Sequence, residues 1–210
     1  MTDLIPDFRV LMLMAPPIVF ALTVHEFAHA WAADRLGDPT ARLMGRLTMN
    51  PLAHLDPLGT LLIFLVRFGW GKPVPVDPRY LKNPKRDMLW IALAGPASNV
   101  VAAALFGTVF RYLPDGALEW GEAITVLQYA VFINLVLAFF NLIPLPPLDG
   151  SKILSGLLPL RQEMAYRRAE HSLSIVLILL ILAGSFLRFP VIGRVIMPPV
   201  HLLTRAFMGF

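Results

Sequence analysis

Val24-His25-Glu26-Phe27-Ala28-His29-Ala30 is the stretch on which the reading of this chain turns. It lies in an apolar run from Val10 to Ala33 whose only ionisable residues are His25, Glu26 and His29. A run of that length can cross a bilayer as a helix, which needs about 20 apolar residues. Residues four apart on a helix lie about 40° from each other around its axis, so the two imidazoles share a face and can share a zinc ion. Glu26 then stands beside them as the general base that activates water, completing an H-E-x-x-H pattern. For this composition of five His and five Glu in 210 residues, roughly 0.003 such motifs are expected by chance. Packing or interhelical hydrogen bonding is the ordinary explanation for two histidines in a helix. Three ionisable groups in one hydrophobic helix are costly, and that cost is normally borne for function.

Composition agrees with a membrane setting. Fifty-seven per cent of the residues are apolar and 15% charged, against about 45–50% and about 25% in soluble domains. Mean hydropathy is +0.66. These values exclude an ordinary soluble enzyme, a disordered chain and a coiled coil. The absence of cysteine excludes disulfide scaffolds, thiolate zinc sites and cysteine nucleophiles. A net charge of +4 needs no nucleic acid, since cationic loops beside the cytoplasmic face account for it. The start of the chain shows no signal-peptide pattern.

Further uncharged runs extend over Met88–Phe110, Ala123–Leu148 and the shorter Ser172–Leu187. Val191–Phe207, interrupted by Arg194, Pro198, Pro199 and Arg205, reads as a weak span or a surface-lying helix, and Leu58–Val66 as a re-entrant half-span. The expected fold is an all-α polytopic membrane bundle of about four to six membrane helices, with short membrane-associated strands. It forms a single domain over residues 1–210. The catalytic core covers about residues 10–150, C-terminal helices occupy 151–210, and there is no separate soluble domain. Arg67, Lys72, Arg79, Lys82, Lys85 and Arg86 crowd the stretch before the Met88 run, whereas Asp115, Glu119 and Glu122 mark the 114–122 loop. Counting Lys and Arg puts the first stretch in the cytoplasm and the second outside, with both histidines near the cytoplasmic face.

Between Thr40 and Asp56 the alternation of Leu43, Gly45, Leu47 and Met49 with polar residues predicts a strand or hairpin, and Gly71–Val76 a second, proline-containing edge strand. A catalytic zinc needs a third protein ligand and an open position. Asp34 is nine residues from His25 and faces away. The better candidate closes the long apolar run, in Asn141-Leu142-Ile143-Pro144-Leu145-Pro146-Pro147-Leu148-Asp149-Gly150. Three prolines must unwind the helix there and present Asp149 from a broken end. The competing reading of Asp149 is a turn-forming Asp-Gly.

With these residues in view the chain resembles the site-2 protease family of intramembrane zinc metalloproteases, in its compact prokaryotic branch. The resemblance rests on HEFAHA at 25–30, GRLTMNPLAHLDPLGT at 45–60, GWGKPVPVDP at 69–78, ALAGPASN at 92–99 and NLIPLPPLDG at 141–150. It implies a three-helix core and one zinc ion held by His25, His29 and Asp149. Glu26 would be general base, and Asn141 would help to bind substrate or the reaction intermediate. It also implies a transmembrane protein substrate, met in a prokaryotic inner membrane with the active site toward the cytoplasm. His54, in the second block, either donates a hydrogen bond to a metal ligand or gates a water path, or is an interfacial histidine capping a turn. Asn99 is read as an interhelical hydrogen bonder and Gly95 as a point of close helix approach. A metal transporter would line its path with more acidic groups than Glu26 and Asp149. A silent scaffold would have lost the base or a ligand.

Overall fold

The computed structural model describes residues 8–57, 59, 71–114, 121–186 and 191–210. Its long elements are α1 (Phe8–Leu36), α3 (Pro84–Arg111) and α4 (Glu122–Asn141), each long and apolar enough to cross a membrane. Short helices α2 (Thr40–Leu43), α5 (Asp149–Leu157) and α6 (Leu160–Arg168) connect them or follow them. Two further helices, α7 (Glu170–Phe186) and α8 (Val191–Met208), complete the described chain.

Each long helix stops for a local reason. At the end of α1, Gly37 takes φ +112°, which a residue with a Cβ rarely adopts. The Asp38 N–H then reaches the Ala33 carbonyl at 2.9 Å and closes the last turn. Helix α3 opens on Asn83-Pro84, and the Asp87 carboxylate returns to the Asn83 N–H at 2.9 Å. Helix α4 ends at Asn141 because Pro144, Pro146 and Pro147 lack the N–H groups that would continue it.

Small residues let these helices approach closely. Ala21, Ala30 and Ala33 of α1 are fully buried, as is Ala138 of α4. A second packing centre joins Ala103, Phe106 and Phe110 of α3 to Val131 and Leu135 of α4 and to Val200, Phe207 and Met208 of α8. Helix α8 therefore lies with one face against the bundle, while Arg194, Val195, Leu202 and Arg205 face outward.

One expectation is met in part and another needs correction. Among the described residues three helices meet the length and polarity of a span, where four to six were expected. Helix α7 is apolar but has 17 residues. No strand forms among the described residues either. Thr40–Leu43 is helical, Gly45 at φ +69° turns the chain, and 46–50 is irregular. The reason lies in the expected partner: Pro73 and Pro75 have no N–H to give, so pairing shrinks to one antiparallel bridge, Leu55 with Gly71, beside the Lys72 N–H to His54 carbonyl bond of 2.8 Å. Leu43 and Met49, half of the supposed buried face, are exposed. The half-span expected over Leu58–Val66 lies outside the described residues, apart from Gly59.

Candidate metal centre

Helix α1 presents His25 and His29 side by side, their rings 4.6 Å apart at the centroids, and Asp149 enters from the first turn of α5. Asp149 Oδ2 is 3.0 Å from His25 Nε2 and 3.1 Å from His29 Nε2, and the two Nε2 atoms are 3.0 Å apart. All three side chains are buried.

The far sides of the rings set the tautomers. His29 Nδ1 is 2.7 Å from the Ile91 carbonyl, which can only accept, so the proton is on Nδ1. His25 Nδ1 is 2.6 Å from Asn99 Oδ1. The Asn99 amide is oriented by its Nδ2, which donates to the Ala21 carbonyl at 3.0 Å and to Asn134 Oδ1 at 2.8 Å. Asn134 Nδ2 in turn donates to the Ala130 carbonyl at 2.8 Å. Asn99 therefore offers His25 an oxygen, and the His25 proton also sits on Nδ1. Both Nε2 lone pairs consequently point at each other and at a carboxylate. Three buried acceptors so close repel one another unless a cation lies among them. Their separations approach the edge of about 3.3 Å of a tetrahedron with zinc–ligand bonds near 2.05 Å. The donor set fits zinc, and the outward N–H bonds are those that fix ligating imidazoles.

Two glycines make the assembly possible. A Cβ on Gly95 would lie 2.4 Å from His29 Nε2 and 2.7 Å from His25 Cε1, so α3 can back the histidines only with no side chain there. A Cβ on Gly150 would meet the Leu142 carbonyl oxygen at 2.3 Å, so the turn carrying Asp149 can fold onto the end of α4 only as glycine.

Glu26, half-buried, lies against the irregular cover: a Cβ on Gly71 would be 3.6 Å from its Oε1. The remaining expected residues are outside the donor group. Asn141 is the last residue of α4, with Nδ2 spent on the Leu137 carbonyl at 3.0 Å. His54 is fully buried and caps the 3₁₀ turn Pro51–Ala53, and its Nε2 donates to the Thr48 carbonyl at 2.7 Å. None of the described hydrogen bonds of His25, His29 or Asp149 involves it. Asp34 points away, paired with Arg42 at 3.0 Å. Asn134 escaped the sequence reading, although a lone asparagine in an uncharged span was the available signal.

A buried His-His-Asp donor set with an adjacent glutamate, on a helix able to cross a membrane, defines a membrane zinc metalloprotease. Residues 106–184 match the model of peptidase family M50. The chain is 37% identical over 183 residues to a protein of Bacillus subtilis named "Putative zinc metalloprotease YwhC", with 84% of each chain covered. It is 31% identical over 173 residues to Rip2 of Mycobacterium tuberculosis, named in the same terms, covering 79% of this chain and 64% of that protein. A shorter match, 42% over 64 residues, links it to MJ0611 of Methanocaldococcus jannaschii, covering 30% of this chain and 31% of that one. No solved structure matches significantly. The chain belongs to peptidase family M50, the family of the site-2 proteases.

Proposed function

We propose that this chain cleaves peptide bonds within or near the transmembrane helices of other membrane proteins, from the cytoplasmic side of a prokaryotic inner membrane. The observation that carries this reading is the meeting of His25, His29 and Asp149 at one buried point of a membrane-crossing bundle, with Glu26 alongside. Zinc held by those three residues would polarise the scissile carbonyl and make water a better nucleophile. Glu26 takes the proton from the attacking water and returns it to the leaving amine as the C–N bond breaks. The Nδ1 bonds to Asn99 and the Ile91 carbonyl keep both imidazoles turned with Nε2 toward Asp149 throughout. Asn141, its Nδ2 occupied, offers Oδ1 to a peptide N–H of the substrate.

A helical substrate hides its carbonyls in its own hydrogen bonds and must unwind before cleavage. The extended segment 72–77 supports a place for it, since the N–H groups of Val74 and Val76 have no partner among the described residues. An unwound substrate can add to such an edge. Helix α7 serves as a fourth, short span. The charge count places residues 48 and 74 inside and 117 outside, and single cysteines introduced there should label from those sides.

Glu26→Gln tests the function directly. The probe is a tagged single-span reporter with an Asn-Gly pair at the centre of its helix, in nanodiscs. Turnover should fall by about 10³-fold or more, with zinc content unchanged. Full activity in this variant would sink the protease reading.

A further inference from the structure

Arg46 belongs to no part of the site described so far, yet it is 6% exposed. Its backbone is tied to α2 by an N–H bond to the Ala41 carbonyl at 2.8 Å. Its Nη2 donates to the Lys72 carbonyl, and its Nε–H has no partner among the described residues. Lys72 is clamped on its other side too, where its N–H donates to the His54 carbonyl. Gly71, bridged to Leu55, lies beside Glu26: a Cβ on it would be 3.6 Å from Oε1 and 3.9 Å from Cγ. Arg46 thus holds the Lys72 carbonyl, and the residue before Lys72 is the glycine beside Glu26.

Holding a carbonyl does not require a charge. Glutamine, neutral and two bonds shorter, offers neither the charge nor the reach, and burying a guanidinium for a carbonyl alone costs stability. The compensation is the nearby anion: burial pushes the Arg46 guanidinium down from its ordinary range, and the charge of Glu26 pulls it back.

We propose that Arg46 is a positioning residue for the hydrolysis, its guanidinium clamping the Gly71–Lys72 backbone against Glu26 so that the carboxylate keeps its place beside the metal. The proposal rests on the protease reading above, and the two fail differently. If Glu26→Gln cleaves the reporter at the wild-type rate, the reading falls. If Glu26→Gln is inactive but Arg46→Gln is not, only the role of Arg46 falls.

The experiment measures kcat, KM and zinc content on the full chain in nanodiscs with the same reporter. Arg46→Gln should keep its zinc and lose about 100-fold in kcat, the cost of a group displaced by about 1 Å. KM should stay within about threefold, because substrate binding is not what was removed. Guanidinium ion added at low millimolar concentration should restore part of the kcat of Arg46→Ala, which a purely structural role would not allow. Should Arg46→Gln fail to fold, Arg46→Lys keeps the charge but not the planar fork, and is expected to hold zinc with kcat lowered about tenfold. The proposal is overturned by a kcat near wild type in the variant that folds. It is equally overturned by activity lost in step with zinc, by a loss wholly in KM, or by the absence of guanidinium rescue.

Discussion

The metal centre and the irregular cover over Glu26 are neighbours built in opposite ways. At the centre, the described side chains sit on helices or at a helix start, and each outward ring nitrogen has a partner: His25 Nδ1 on Asn99, itself held by Asn134, and His29 Nδ1 on the Ile91 carbonyl. The cover, residues 44–57 with 71–77, has one β-bridge and hangs from side chains. Asp38 accepts the Asp77 N–H at 2.7 Å and the Thr40 N–H at 3.0 Å, and the Arg46 guanidinium donates to the Lys72 carbonyl. Helical rigidity suits donors that must hold a fixed geometry around a metal. A loosely tied segment suits a surface that an unwinding substrate has to approach. The contrast predicts that equal chemical insults will affect zinc in the first region and stability or turnover in the second.

The largest effect should follow removal of a donor. Asp149→Ala leaves two histidines, and both zinc content and turnover should fall to background while the bundle still inserts. Zinc and cleavage at wild-type levels in that variant would remove Asp149 from the metal centre. Asn99→Leu should come next. It deletes the acceptor of the His25 Nδ1 proton without touching a ligand, and weakening of zinc affinity by about 10- to 100-fold is expected, as for other outer partners of ligating imidazoles. Competition with a chelator measures it. Asn134→Leu, one bond further out, should weaken zinc less than Asn99→Leu, and the reverse order would contradict the network drawn here.

The same contrast explains what could be read in advance. The pairing of His25 and His29 was legible because helical periodicity converts a four-residue spacing into a shared face. Asp149 was legible because three prolines force the chain open beside it. The cover was not. Its alternation of apolar and polar residues satisfies the strand pattern, but a strand also needs a partner with donors, and Pro73 and Pro75 withhold them. Asn99 was visible as a polar residue in a span, but not as the partner of His25, since that pairing depends on the relative rotation of α1 and α3, set by Gly95 and the alanines. Nor could the chain show that the His54 ring bonds the Thr48 carbonyl.

A moderate effect is expected in the cover from Asp38→Ala. The carboxylate is fully buried and is the described acceptor for the Asp77 N–H. Leaving such a donor unmade costs about 1–3 kcal/mol, so Tm should drop by several degrees. Zinc affinity should stay at the wild-type value, since no donor or ring partner moves. A loss of zinc matching that of Asn99→Leu would mean that cover and centre are one unit.

The smallest effect belongs to Arg79, on the outer side of the same cover. Its guanidinium bonds Asp77 at 2.9 Å and 3.0 Å, and those hydrogen bonds hold the Asp77 carboxyl below its ordinary range. A carboxylate whose folded pKa is depressed adds stability above its unfolded pKa, near 3.8. That contribution is lost as pH falls through the lower folded value. Arg79→Ala should therefore differ from wild type only at neutral pH, and the two melting curves should converge as the solution becomes strongly acidic. The difference itself should be barely resolvable, because Arg79 is an exposed side chain screened by water and salt. The Asp77 side chain keeps a second bond that the substitution leaves intact, from the Arg79 backbone N–H at 3.0 Å. A large fall in Tm for Arg79→Ala at pH 7 and low salt, abolished in high salt, would show that the cover is held by its rim charges instead of by Asp38 and Arg46.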